Sequence, residues 1–196
     1  MQLSKTAYYA DFGVYALSIG VLATTGCLSG DWTQRVQWLA AAATGLAAWT
    51  LIEYALHRFV FHGMAGFSVL HGRHHTAPRA FIGTPTWASL SVLAFAIFWP
   101  AWRTVSLNVA SGLTAGVMLG FFWYGLVHHA IHHRKPRVLA LRIMIASHRH
   151  MRHHYSAQLG NFGVTTSFWD RVFGTALDES GVRRDRRAAR ASYNAG

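Results

Sequence analysis

Apolar positions dominate four stretches of the chain, about residues 9–28, 36–56, 86–102 and 107–127, and polar residues gather between and after them. An α-helix needs ~20 mostly apolar residues to cross the hydrocarbon core of a bilayer. The first, second and fourth stretches meet that length, and only Glu53 interrupts the second, near its end. The third is shorter. It fits a tilted span or a re-entrant hairpin with the fourth, and Pro100 marks a place near its far end where a helix can stop. After His133 the run Arg134-Lys135-Pro136 breaks the pattern. Leu139, Ile143 and Ala146 then recur at helical spacing with basic residues between them, which predicts an amphipathic helix over about 138–155 at the membrane surface. The pattern as a whole predicts an all-α integral membrane protein of about four transmembrane helices, capped by a helical region on one side.

Charge gives that bundle a direction. Only 13% of residues are charged, against roughly 25% in soluble domains. The net charge of +11 invites a nucleic-acid reading, but its placement argues otherwise. With a cytoplasmic N-terminus and four spans, the outward loops near 29–35 and 103–106 hold only Arg35 and Arg103, and the remaining Lys and Arg face the cytoplasm. The positive-inside rule expects this asymmetry. Both termini are then cytoplasmic, no nucleic-acid partner is needed, and a bacterial inner membrane is the expected location. A single domain over 1–179 is expected, followed by a basic tail at 180–196 that is either solvated and disordered or in contact with anionic lipid headgroups.

The chemistry is in the histidines. All thirteen lie between His57 and His154, whereas the chain has only seven acidic residues and one cysteine, Cys27. A carboxylate cage, an intrachain disulfide and a thiolate cluster are thereby excluded. The groups are His57-Arg-Phe-Val-Phe-His62, His71-Gly-Arg-His74-His75, His128-His129-Ala-Ile-His132-His133 and His150-Met-Arg-His153-His154. In the four-span topology every group reaches the cytoplasmic side, within cap segments 57–79 and 128–175. Residues at i, i+3 and i+4 share a helix face, so His71/His74/His75 and His150/His153/His154 each present three imidazoles together, and His128 lies one turn from His132. His57 and His62 are about 140° apart on an ideal helix. They serve two different ions, or the helix ends between them. Ten ligands result: His57, His62, His71, His74, His75, His128, His132, His150, His153 and His154. That is too many for one first-row ion and suits two, and neutral imidazole accepts iron, zinc, copper or nickel. His129, His133 and His148 are left as outer or surface residues. Glu53, one turn before His57, is expected either to accept a hydrogen bond from a ligand histidine or to pair with Arg58. Asp170 is a similar supporting candidate.

At these motifs the chain resembles the fatty acid hydroxylase branch of the membrane histidine-rich di-iron proteins, which includes fatty acid 2-hydroxylases, sterol C4-methyl oxidases and C5 desaturases. The resemblance covers about 53–175 and includes Gly160-Asn161-Phe162-Gly163 through Thr175, a segment closest to the 2-hydroxylases. It departs at Tyr124-Gly125, where those hydroxylases typically have Tyr-Asp, and at His129, where an aromatic is common. The resemblance implies a dimetal site of two Fe ions (with Zn possible in a purified sample), O2 as cosubstrate, and hydroxylation of a lipid acyl chain, with C2 as the candidate carbon. It adds Asn161 to the residues that support the site. With no His-Pro-Gly-Gly motif, electrons are expected from a separate donor, a ferredoxin or a cytochrome b5-like protein with its reductase. Phe59, Phe61, Phe121, Phe122 and Trp123 either line an acyl channel or simply pack. Within the same superfamily the alternatives are a carotenoid or sterol hydroxylase or a desaturase. Other classes are a metal transporter or storage protein, which would carry ligands at mid-membrane, and a bis-histidine haem protein, which needs two axial histidines rather than ten.

Overall fold

The computed structural model describes residues 2–28, 31–133 and 141–177. The tail at 180–196 and residues 138–140 of the expected surface helix lie outside them. The described residues form α1 (Lys5–Leu28), α2 (Trp32–Ala55), a π-helical segment (Leu56–Phe61), α3 (Phe67–Thr76), α4 (Thr86–Leu93), a second π segment (Ala94–Phe98), α5 (Trp99–Thr104), α6 (Leu107–His133), α7 (Leu141–Tyr155) and α8 (Phe168–Val172). No strand occurs among them, only an isolated bridge between Gln2 and Ile82. The all-α expectation therefore holds.

Three helical runs are long and apolar enough to cross a membrane: Lys5–Leu28, Trp32–Phe61 and Leu107–His133. The first has 24 residues, which is about 36 Å at 1.5 Å per residue. The third sequence-predicted span is not among the three. It falls on α4, the second π segment and α5, a helical run that continues past Pro100 to Thr104. Pro100 stands in the first turn of α5, where a residue lacking an N–H is tolerated.

The chain divides into two compact units, Met1–Leu126 and Val127–Gly196. In the first, Asp31 caps α2 by accepting the Thr33 N–H at 3.0 Å. Helices α2 and α6 then meet backbone to backbone. A Cβ added at Gly45 would strike the Leu113 carbonyl, one at Gly116 the Ala42 carbonyl, and one at Gly112 the Trp38 carbonyl. Gly120 in turn makes room for the Trp49 ring. Gly112, Gly116 and Gly120 are spaced by four, the small-residue repeat that lets membrane helices pack closely where no hydrophobic force separates helix from lipid. Near the other end of α1, Ser111 Oγ receives the Thr25 hydroxyl at 2.6 Å and Trp38 Nε1–H at 3.1 Å, tying α1 and α2 to α6. The buried core of the unit is Tyr15, Trp49, Leu93, Val117 and Met118.

In the second unit, α7 reverses the soluble-protein pattern. Its inward residues are Ala146, His150 and His153, while Leu141, Met144 and Ile145 are exposed. A surface helix of a soluble protein hides such residues, whereas a helix lying on a membrane can expose them to lipid. Phe162, Val164, Asn161 and Asp170 are buried in the segment that follows.

Candidate metal centre

Each unit contributes four histidines whose ring nitrogens converge. In the first unit they are His57, His62, His71 and His75, and in the second His128, His132, His150 and His154; within each set the candidate ligand atoms lie within 4.8 Å of one another. His57, His132 and His150 are buried.

Local structure explains the first set. Residues 56–61 are π-helical, so the His62 N–H bonds back five residues to the His57 carbonyl at 3.3 Å. The wider π turn removes most of the 140° offset of an α-helix. The two rings stack at 5.3 Å with an interplanar angle of 28°. The sequence offers two ions or a helix end as outlets for this spacing; the structure uses a π turn instead, a device common at functional sites. The spacing of five was itself the signal. Helix α3 then supplies His71 and His75 from adjacent turns, as the i, i+4 rule predicts. Burial, and after it the neighbouring His75, push His62 down from 6.5 to about 4, so its ring is neutral at physiological pH with a lone pair to offer.

The spacing of nitrogens tests whether a metal fits. His71 Nε2 lies 3.0 Å from His57 Nε2 and 3.0 Å from His75 Nε2. In the second unit His132 Nε2 lies 3.1 Å from His128 Nε2 and 3.0 Å from His150 Nε2, and His154 Nε2 lies 3.0 Å from His150 Nε2. A single imidazole nitrogen either donates one hydrogen or accepts one. It cannot satisfy two ring nitrogens together, but a shared cation can. Neighbouring ligands at right angles around a metal at about 2.1 Å are separated by about 3.0 Å, the spacing seen here. The donor atoms of each set therefore fit a first-row metal ion.

The other two expected ligands are also buried. His74 is 6% exposed and packs beside His71 and His75, with centroids at 5.8 and 6.2 Å. His153 is 3% exposed, and its Nδ1–H donates to the Gly160 carbonyl at 2.8 Å, which fixes the tautomer of the ring. His129 and His133 stack face to face at 4.5 Å and 11°, outside both sets, and His148 is exposed.

The loop that holds Gly160 is built by Asp170 and Asn161. The Asp170 carboxylate, 1% exposed, accepts the N–H groups of Phe162 at 2.8 Å and Gly163 at 2.9 Å and the Thr175 hydroxyl at 2.8 Å. Asn161 adopts φ 54°, a left-handed conformation that asparagine tolerates. Its side chain donates to the Arg149 carbonyl at 3.2 Å and accepts the Leu177 N–H at 3.0 Å, pinning the loop to α7. Both residues thus reach His153 through the Gly160 backbone rather than by touching an imidazole. Glu53 is 3% exposed, one turn before His57. Arg58, one expected partner for it, directs its guanidinium to the Tyr54 hydroxyl at 2.6 Å.

Fold and site together define a helical membrane protein with histidine-rich metal-binding groups. The sequence model of the fatty acid hydroxylase family matches residues 42–175. The chain belongs to the fatty acid hydroxylase family. It is 34% identical over 152 residues to the dihydroceramide fatty acyl 2-hydroxylase of Arabidopsis thaliana, covering 72% of this chain and 62% of that protein. It is 34% identical over 149 residues to the fatty acid 2-hydroxylase of Rattus norvegicus, covering 69% of this chain and 39% of that one. It is 35% identical over 144 residues to the ceramide very long chain fatty acid hydroxylase of Saccharomyces cerevisiae, covering 68% and 37%. The chain thus spans less than two thirds of the length of these relatives. A solved structure of full-length scs7p, in which only the hydroxylase domain is visible, superposes with a TM-score of 0.69 at 28% identity, covering 90% of this chain and 68% of that one.

Proposed function

We propose that this protein is a membrane-bound, O2-dependent hydroxylase of a lipid acyl chain, acting at C2, with two iron ions held by the ten histidines. The observation that carries the reading is the pair of histidine tetrads with ring nitrogens 3.0–3.1 Å apart. The names of the relatives, all acyl or ceramide hydroxylases, supply the reaction class. Bound irons supply the redox chemistry by which O2, two electrons and two protons convert a C–H bond to C–OH with release of water. The electrons come from a separate donor.

The residues of the chain do the rest. Neutral imidazoles such as His62 present lone pairs without first losing a proton. Asp170 and Asn161 fix the Gly160 carbonyl, and that carbonyl sets the tautomer of His153. Glu53 orients a ligand histidine from the α2 side. The excess of Lys and Arg supports a cytoplasmic position for the histidine motifs, where a bilayer-dissolved acyl chain would bring its polar end, and C2 beside it, to the interface.

Lipid mass spectrometry on cells that express the chain or its His153→Ala variant tests the reading. A lipid heavier by one oxygen atom, formed only with the unaltered chain and with the hydroxyl at C2 on fragmentation, is expected. A product lighter by two hydrogens makes the enzyme a desaturase. No altered lipid, from a chain with both metals bound and a reductant supplied, refutes the proposal in favour of metal handling.

A further inference from the structure

Helix α3 has a second face. Its histidines turn inward, with His74 buried and His71 and His75 half-buried. On the wheel of an α-helix, Val69, Arg73 and Thr76 fall on the opposite side with Gly72 at their flank, and all four are exposed. A Cβ at Gly72 would meet nothing within 4 Å, so this side is open down to the backbone. The end of the helix adds a second cation. The Ala77 N–H donates to the Arg73 carbonyl at 2.9 Å and the Ala80 N–H to the Ala77 carbonyl at 2.9 Å, forming a turn that carries the exposed Arg79. Neither guanidinium makes an ion pair or a hydrogen bond among the described residues. The sequence has no acidic residue between Glu53 and Asp170, so nothing nearby in the chain neutralises them. A helix with its side chains is about 10–12 Å thick, and no more than that separates this surface from the His71 and His75 rings.

We infer that the outer face of α3, with Arg73 and Arg79, is the docking surface for an acidic protein that delivers one electron at a time. The inference rests on the hydroxylase reading, which needs two electrons from outside the chain, and deepens it by assigning residues to their delivery. Each encounter oxidises the donor by one electron, and a metal ion held by the histidines is reduced by that electron; no bond forms or breaks at the face. Position and charge point the same way. The helix carries candidate ligands on one side and an open, cationic surface on the other, so a donor seated there stands one helix thickness from the ligands. Helix α7 also carries ligand histidines, but its exposed Leu141, Met144 and Ile145 are large and apolar, a pattern for lipid. On the outer face of α3 Val69 alone is large and apolar, and the exposed Met64 and Phe67 precede that face at the start of the helix. One apolar point flanked by cations suits a transient redox encounter, whose interfaces fall below about 1,200 Å². Charges in such a contact speed the encounter and set its orientation.

The test uses the full metal-loaded chain in nanodiscs of uncharged lipid. The probes are the soluble haem domain of a cytochrome b5 and an iron–sulfur ferredoxin, both acidic one-electron carriers. Binding to immobilised discs and the rate at which the reduced probe is oxidised in stopped flow are the readouts. Arg73→Glu and Arg79→Glu should each weaken binding of a probe about fivefold at low ionic strength. That effect should vanish in about 1 M salt, where the screening length is about 3 Å. Arg103→Glu makes the same change of net charge at another exposed arginine and should leave binding unchanged. Gly72→Trp, which fills the open face without altering charge, should slow oxidation of the probe with metal content intact. The inference is overturned if neither probe binds the unaltered chain, if both α3 charge reversals bind as the unaltered chain does, or if Gly72→Trp leaves the rate unchanged. An equal loss with Arg103→Glu also overturns it, since net charge alone then governs binding. An effect of Arg73→Glu seen only in discs that contain anionic lipid overturns it in favour of a lipid contact. If both charge reversals weaken binding and slow oxidation of the probe, yet the unaltered chain so reduced modifies no lipid, the docking surface stands and the hydroxylase reading falls.

Discussion

Asp170→Asn isolates the support beneath His153. The substitution keeps the shape of the side chain and one acceptor oxygen. With that oxygen left to Phe162 N–H and the Thr175 hydroxyl, the new NH2 group faces the Gly163 N–H that Asp170 Oδ2 now accepts at 2.9 Å. Flipping the amide only moves the clash of donors to the other pair. A hydrogen bond to a charged acceptor contributes about 1.5–3 kcal/mol, and a stranded buried N–H costs about 1–3 kcal/mol. These overlap, so the net loss is about 2–4 kcal/mol, a large part of a stability of about 5–15 kcal/mol. Little relaxation is open to the loop, because a Cβ at Gly163 would already meet the Thr166 carbonyl and stand 3.0 Å from Asp170 Oδ2. The loop then releases the Gly160 carbonyl, and His153 loses the bond that fixes its tautomer. Thermal unfolding in detergent and metal analysis of the same sample are the assays. A lowered unfolding temperature with reduced bound metal is expected, and Thr175→Val, which removes one donor, should shift both by less. An unfolding temperature and metal content equal to those of the unaltered chain would refute the account of Asp170 as the anchor of this loop.

Deleting Val60 sets His57 and His62 four residues apart, a spacing that an α-helix presents on one face as the π segment now presents five; metal content and the helical signal in circular dichroism should both persist, and loss of metal from a still helical protein would sink the π-turn explanation. Gly116→Val places a side chain into the Ala42 carbonyl and should lower the unfolding temperature sharply, whereas Gly13→Ala, with open space around it, should leave it unchanged. Equal effects from the two would show that α2 and α6 do not depend on backbone contact.

Much of this was legible in the sequence because two simple periodicities carry it. Apolar runs of about twenty residues locate α1, α2 and α6, and i, i+4 spacing brings together His71 with His75, His128 with His132 and His150 with His154. What escaped depended on backbone states that side-chain pattern does not encode. The His57–His62 spacing is wrong for an α-helix and right for a π turn, and apolar neighbours give no hint of which forms. The Gly112, Gly116 and Gly120 repeat was present in plain view but acquires meaning only once α2 is known to lie against it. Asp170 reads as an acid near a metal site, whereas its work is done on two backbone N–H groups eight and seven residues before it.

The two tetrads are each nearly local in the chain, and that fixes an order of events during synthesis. His57, His62, His71 and His75 are all in place once α3 has emerged, before α4, α5 and α6 exist. His128 and His132 must wait for α7 to fold back and bring His150 and His154 to them. On the proposed function, a nascent chain could take up one ion while still being inserted and a second only after the last long helix has been made, so partially metallated protein from interrupted or metal-starved synthesis should carry its single ion at the N-terminal tetrad.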